Sequence, residues 1–390
     1  MKKIDVILIA RPDHSLQIYK ALTEQKELSY KFITFKFFPK WLKKITHSKK
    51  MNALGPNVIN SWKLSFINIC KFKFKFKFAK NWDESEILDN LFIRQFNNYK
   101  IKLIHYWPEY GDKEIINYAK FNPQTRIFAD IHMPHPKTVY ETMREVYEQY
   151  GIKPETTQLY IMAQEQSSLI KNATDILVPS SYIVETYKKV YNDKRYHIVP
   201  YGITISPTYE KRQRRLIKDF IYAGRVCLEK GCDLLLDFFS RHPQINIHLY
   251  GNITDNQHFI FSEYKQYSNI IFHDPVPKIE LQKHLAKYDV GIHLSRFDAY
   301  SLAVGEMIGA GLPVIVSTNT GNKDDVCKYG FGEVTDLNID SIKNAISRIC
   351  DLKIYNTYMN NIQTYISSNP QNYGENMINF YQQIINESNL

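Results

Sequence analysis

The chain has 390 residues, 44% of them hydrophobic, enough to bury sizeable cores in two domains. Its net charge of +10 lies at one end: residues 1–80 hold seventeen Lys and one Arg against Asp5, Asp13, Glu24 and Glu27, a surplus of +14 that leaves the remainder at −4. No run approaches the ~20 apolar residues of a spanning helix, and residues 28–80 hold no acidic side chain, so this segment points to an anionic partner, nucleic acid or a membrane surface.

The opening MKKIDVILIARPDHS imitates a secretory signal, but Asp5 interrupts the short apolar run and no small-residue cleavage site follows. It reads instead as a first buried strand at 5–10. Further strands are expected at 30–35 (YKFITF), 101–107 (IKLIHYW), 126–132 (RIFADIH), 175–180 (DILVPS) and 196–202 (YHIVPYG), with helical patterns such as SLQIYKALTEQ and TQLYIMAQEQSSLIKNA between them. Residues 71–78, KFKFKFKF, alternate with a period of two, a strand pattern with Phe72, Phe74, Phe76 and Phe78 on one face and Lys71, Lys73, Lys75 and Lys77 on the other. The aromatic face suits a core; the lysine face suits water or an anionic, greasy surface. A polar, charged stretch at 205–218 reads as a linker. A second series of strands follows at 219–224 (DFIYAG), 245–251 (INIHLYG), 269–274 (NIIFHD), 289–295 (DVGIHLS) and 312–317 (LPVIVS), and a helix lies beyond Pro370. Continuous apolar strands alternating with amphipathic helices imply an α/β protein with doubly wound parallel sheets. The expected organisation is an N-terminal domain over 1–204, the linker, a second domain over 219–370 and a C-terminal helix over 371–390. Two such domains enclose a cleft at the carboxyl ends of their strands. The five cysteines (Cys70, Cys227, Cys232, Cys327 and Cys350) lack the paired spacing of a zinc site and read as reduced thiols in a cytosolic protein.

Chemistry concentrates in the second series. After FIYAG comes GRVCLEKG, with Gly224, Arg225, Lys230 and Gly231. The glycine ends the strand and lets backbone approach a ligand. Arg225 can fork two phosphate oxygens and Lys230 supplies a point charge, both near a strand-to-helix junction where anions bind readily. A surface Arg and Lys at a turn would look the same in isolation. Further on, RFDAYSLAVGEMIGAGLPVIVSTNTG places Asp298 and Glu306 eight positions apart. YSLAVGEMIGAG opens a helix, so the free N–H groups near Ser301 and Leu302 can donate to a phosphate. Glu306, one to two turns in, can accept from two vicinal hydroxyls, as on a ribose.

Together, GRVCLEKG, the Asp298–Glu306 pair and the following GLPVIVS resemble the retaining GT-B glycosyltransferases of family four, the glycosyl transferases group 1 type. The resemblance covers most of 175–330 and more faintly the whole chain. ATDILVPSSYIVETYKKV and YHIVPYGI match the end of that family's first domain, and YGENMINFYQQI its final helix, which folds back onto that domain. The resemblance implies a GT-B fold, two Rossmann-like domains facing a cleft, with the first domain on the acceptor side and the second binding a nucleotide sugar. Arg225 and Lys230 would hold the donor diphosphate and stabilise the leaving nucleotide, beside Gly224. Glu306 would bind the ribose, the Ser301–Leu302 backbone the phosphate, and Val276 would sit in the base-binding loop. Asp298 would contact hydroxyls of the transferred sugar, and His132, in DIHMPH, would lie near the reacting centre.

Two features depart from the family. Asp298 is one methylene shorter than the usual Glu, and the first loop, RPDHS, lacks the common Gly-Gly. His14 stands where inverting GT-B enzymes often carry a catalytic His, which leaves an acceptor-side role, and inversion, open beside the retention that the second-domain motifs favour. Two cations and helix-terminal N–H groups can do the work of Mg²⁺, so no metal and no cofactor are expected; KDD at 323–325 is the nearest approach to an acidic metal motif. Residues 31–80 mix Lys with Trp and Phe, which suits an interface rich in anionic lipid at ~1 kcal/mol per well-placed Lys. The expected function is therefore transfer from a nucleotide sugar to a membrane-associated glycan or glycolipid in bacterial envelope polysaccharide synthesis. The expected location is cytoplasmic, peripheral to the inner face of the cell membrane. A GT-B-fold sugar-nucleotide epimerase and a non-catalytic GT-B subunit are the alternatives, and the donor motifs weigh against nucleic acid as a partner.

Overall fold

The protein is described here by a computed structural model, covering residues 2–10, 15–34, 37–38, 52–53, 55, 57–61, 87, 91–92, 95–96, 98–108, 113–157, 170, 173, 175–206, 216–285 and 287–387. The first sheet contains β1 (Lys2–Ile9), β2 (Tyr30–Thr34), β5 (Val58–Asn60), β6 (Tyr99–Tyr106), β7 (Arg126–Asp130), β8 (Asp175–Val178) and β9 (Arg195–Ile198), in the order β5-β2-β1-β6-β7-β8-β9. Two-residue strands, β3 (Phe37–Phe38) and β4 (Asn52–Ala53), pair apart from it. The second sheet contains β10 (Asp219–Ala223), β11 (Asn246–Tyr250), β12 (Ile270–His273), β13 (Val290–His293), β14 (Val314–Ser317) and β15 (Gly332–Thr335), in the order β12-β11-β10-β13-β14-β15. Every pairing is parallel. Apart from the KFKFKFKF ribbon, the eleven strands expected from the sequence all form, because continuous apolar segments such as β8, β13 and β14 are buried at every position. Besides the short β3–β4 pair, two strands of the main sheets escape the sequence pattern. β5 is three residues long, and β15 is a half-buried edge strand, GEVT, without an apolar run.

Each sheet reverses its winding beside its first strand, between β1 and β6 and between β10 and β13. A crevice opens at the carboxyl ends of the strands at such a switch point, and ligands bind there. Both halves of the candidate site grow from these ends.

The two cores are interleaved. The helix Tyr373–Glu387 follows the second sheet in sequence, yet it places Tyr373, Met377, Tyr381 and Ile384 in the core around β1 and β6. It packs on the helix Ser15–Glu24 so closely that a Cβ on Gly374 would lie 2.4 Å from the Gln17 carbonyl oxygen. In the other direction, the helix Pro136–Gln149 lends Met143 and Tyr147 to the core around β10. The KFKFKFKF ribbon, His14 and most of TQLYIMAQEQSSLIKNA lie outside the described residues. Among the described residues, no helix is long and apolar enough to cross a membrane.

Candidate active site

β10 ends at Ala223 and hands over to two exposed residues, Gly224 and Arg225. Gly224 donates its N–H to the Tyr250 carbonyl at 3.0 Å, and Val226 donates to Asn252 at 2.9 Å, so the loop starts as an extension of the sheet. It then tightens into a 3-10 turn, Leu228–Lys230, and reverses at Gly231, whose φ is 66°. A Cβ there would sit 1.9 Å from the Leu294 carbonyl oxygen, so glycine alone lets this loop lie against the end of β13. The turn is held from several sides. Arg296 donates to the Leu228 carbonyl and to both Asp233 carboxylate oxygens at 2.6 and 2.7 Å, in a nearly dry environment. Gln257 accepts from the Leu228 N–H at 2.8 Å, and Ser295 Oγ donates to the Glu229 carbonyl at 3.2 Å. From the first domain, Tyr147 Oη donates to Glu229 Oε1 at 2.8 Å.

This clamping fixes Lys230. Its ammonium meets Asp298 Oδ2 at 2.6 Å, and His293 Nε2 donates to the same oxygen at 3.1 Å. Burial works against the Asp298 charge, but the His293 hydrogen bond and the Lys230 ammonium outweigh it and hold the carboxyl well below the usual carboxylate range. Burial pushes the His293 imidazole down despite the pull of Asp298, so the ring is a neutral donor. It stacks on Tyr222, with ring centroids 5.9 Å apart and planes 9° from parallel. Asp298 itself is pinned by backbone bonds, donating its N–H to Asn319 at 3.0 Å and accepting from Gly321 at 2.9 Å.

The helix Leu302–Gly309 begins one turn later, with Ser301 as its N-cap. Asn322 locks the cap, accepting from the Ser301 N–H at 2.6 Å and donating to its carbonyl at 3.2 Å. Leu302 is exposed at the open end, and Glu306, one turn in, is mostly buried. Glu306 Oε1 meets Lys278 Nζ at 2.5 Å, and that lysine opens the helix Lys278–Leu285. A cavity of about 350 Å³ lies between these elements, lined by Gly224, Arg225, Tyr250, Val276, Leu281 and Ala303. The structure therefore gathers Gly224, Arg225 and Val276 around one space beside the first turn of the Ser301-capped helix. Lys230 and Asp298 form a second cluster at the ends of β10 and β13, and Glu306 is joined to Lys278.

His132, just beyond β7, belongs to the first domain. Its Nδ1 lies 2.7 Å from Tyr201 Oη, and its ring packs against Trp107 with centroids 4.2 Å apart. The Tyr201 ring packs edge-on against Tyr300 at 5.5 Å, two residues beyond Asp298. Tyr201 thus bridges His132 to the Asp298 loop. The acidic run at 323–325 is structural. Asp324 accepts from the Ser181 N–H and hydroxyl at 2.7 and 2.6 Å, capping a first-domain helix, and Asp325 accepts from Tyr300 Oη. Among the described residues, no group of three or more His, Cys, Asp or Glu is placed to hold a metal ion.

Sequence reading missed Lys278, His293, Asn322 and Tyr201. Lys278 stands two residues beyond Val276, Tyr201 stood inside the quoted YHIVPYG, and His293 interrupted an otherwise apolar strand. Those were the available signals.

Residues 210–364 match the family model described as Glycosyl transferases group 1. A search of curated proteins gives no match. Among solved structures, the chain is similar to the sucrose-phosphate synthase of Thermosynechococcus elongatus, at 15% identity and a TM-score of 0.62, covering 99% of this chain and 100% of that one. It is similar to the E. coli trehalose-6-phosphate structure bound with UDP-2-fluoro glucose, at 11% identity and a TM-score of 0.61, covering 98% of this chain and 99% of that one. It is also similar to the apo lipopolysaccharide outer core galactosyltransferase WaaB, at 16% identity and a TM-score of 0.58 over the whole of both chains. At these identities the likeness is one of fold.

The depressed Asp298 carboxyl makes a pH test. A group whose folded pKa lies below its unfolded value stabilises the fold above the unfolded value, about 4 for Asp, and loses that contribution as pH falls through the folded value. Urea unfolding of the wild type and Asp298→Asn should show a constant stability gap from pH 7 to about 4 that narrows at lower pH. A gap unchanged down to about pH 2 would contradict the ion-pair geometry.

Proposed function

We propose that this chain, whose residues 210–364 match the glycosyl transferases group 1 model and whose fold is that of the GT-B glycosyltransferases, transfers a sugar, with retention and without a metal ion, from a nucleotide sugar to a membrane-associated glycan or glycolipid. The observation that carries the donor half is the shared cavity of Gly224, Arg225, Val276 and Ala303, with Lys230 fixed on Asp298 in the loop that continues from Arg225. A nucleoside diphosphate fits this arrangement chemically. The base lies in the loop at Val276, the ribose hydroxyls take Glu306 from Lys278, and the diphosphate meets Arg225 and the open N–H groups at Leu302 and Ala303.

Reaction breaks the bond between the anomeric carbon and the diphosphate oxygen. Negative charge then builds on the departing phosphate, whose oxygen takes the proton of the acceptor hydroxyl as the acceptor oxygen bonds to the anomeric carbon. Arg225, Lys230 and the helix terminus stabilise that charge, and Lys230 and the terminus are held in place before the reaction begins. Asp298 keeps Lys230 in position and presents a carboxylate to the hydroxyls of the transferred sugar. His132, on the opposite side, lies near the reacting centre, and His14 remains an acceptor-side candidate.

The acceptor half rests on the acid-free, Lys- and Phe-rich segment 28–80, in the domain that faces the acceptor in this fold. The likeness to a lipopolysaccharide galactosyltransferase fits an envelope polysaccharide role at the cytoplasmic face of the membrane.

Arg225→Ala and Lys230→Ala should each lower turnover by about a hundredfold or more, in the range seen when one charge-stabilising donor is removed, with the fold intact. Turnover should survive chelation with EDTA. Near-normal turnover in both variants with a verified donor would remove the site assignment.

For the acceptor side, the variant with Lys71, Lys73, Lys75 and Lys77 all changed to Ser should bind anionic vesicles less than the wild type does. Wild-type binding should itself weaken as salt rises. Vesicle sedimentation indifferent to both would leave a soluble acceptor as the better reading.

A further inference from the structure

Behind His132, a buried polar chain runs to the far end of the sequence. Asp130, the last residue of β7, is 2% exposed. Burial disfavours its charge, but His132 and His105 outweigh that and keep it ionised. His105 is fully buried, with Nε2 at 2.8 Å from Asp130 Oδ2 and Nδ1 at 2.6 Å from Tyr381 Oη. His132 Nε2 faces the same carboxylate oxygen at 3.7 Å. Tyr381 comes from the C-terminal helix, as does Tyr373, whose buried hydroxyl is pushed up further by the charge of Asp130.

The carboxylate dictates the protons. It can only accept, so His105 donates from Nε2–H, while its Nδ1 shares a hydrogen bond with the Tyr381 hydroxyl, which burial keeps protonated. His132 Nε2, at 3.7 Å, is beyond hydrogen-bond reach of that carboxylate, which acts on the ring through its charge and favours the Nε2–H form, with Nδ1 at 2.7 Å from the Tyr201 hydroxyl. Stability alone gives little reason for such a network. An apolar replacement of similar volume is often neutral or better than a buried charge with its partners.

We propose that Asp130, His105 and Tyr381 are positioning residues for His132. They fix its tautomer and ring orientation, so that sugar transfer depends on a tyrosine of the C-terminal helix that packs into the first domain. This rests on the reading that places His132 near the reacting centre.

The test compares Asp130→Asn, Tyr381→Phe and His132→Ala in the full chain. The donor is whichever of a panel of UDP-, GDP- and ADP-sugars the purified protein hydrolyses fastest. Asp130→Asn should lower kcat by about a hundredfold, the scale of a misplaced reacting group. Tyr381→Phe, which removes one buried hydrogen bond, should lower it by about tenfold. Donor KM and nucleotide affinity should stay as in the wild type, because the second domain is untouched. Nitrogen-15 NMR should show His132 as the Nε2–H tautomer in the wild type and as a mixture in Tyr381→Phe, a conservative variant that carries the test if Asp130→Asn does not fold. Wild-type kcat in Asp130→Asn and Tyr381→Phe beside a crippled His132→Ala would overturn the proposal alone. Wild-type kcat in His132→Ala would overturn it together with the reading on which it rests.

Discussion

The contact between Lys230 and Asp298, 2.6 Å between charged atoms, is the constraint around which the second domain is arranged. The lysine leaves the end of β10 and the aspartate follows β13, the two strands that flank the switch point. Holding opposite charges in a partly buried place carries a desolvation cost, which good geometry and further hydrogen bonds must offset. His293 supplies one such bond to the carboxylate, and the 3-10 turn that carries Lys230 is clamped by Arg296, Gln257 and Ser295. The result is a cation held in place near an open cavity, ready for a phosphate without rearrangement. That pre-organisation is what a site that stabilises a leaving anion needs.

The second constraint is the interleaving of the two domains. Tyr147 reaches the loop that carries Lys230, and Asp324 caps a helix of the first domain. Tyr201 joins His132 to the loop that carries Asp298. The C-terminal helix crosses back to fill the first core and ends the polar chain at Tyr381. Except for the Asp324 cap, these contacts tie a loop or side chain of the candidate site in one half to an element of the other. Relative movement of the halves would therefore be felt at the site.

Much of the fold was legible because fully buried parallel strands write continuous apolar runs into the sequence. The donor loop was legible for a different reason. Close backbone approach demands glycine at 231, and phosphate chemistry demands cations beside it, so the pattern is local. What escaped was non-local. Lys278 meets Glu306 across two elements, and His105 meets Tyr381 across 276 positions. No spacing rule anticipates such pairs, since they arise only when sheets and helices pack. The acidic run at 323–325 shows the converse. It looked like the nearest approach to a metal motif, and its carboxylates instead cap a helix and hold a tyrosine hydroxyl. His14 and the lysine–phenylalanine ribbon lie outside the described residues, so their roles rest on sequence chemistry.

The central claim is that the cavity beside Arg225 takes the nucleotide of a sugar donor. A crystal structure with a bound nucleoside diphosphate tests it most directly. The account predicts phosphates against the Arg225 guanidinium and the N–H groups of Leu302 and Ala303, and ribose hydroxyls on Glu306 with Lys278 displaced from it. A nucleotide bound elsewhere, with the Lys278–Glu306 pair intact and Arg225 free, would contradict it.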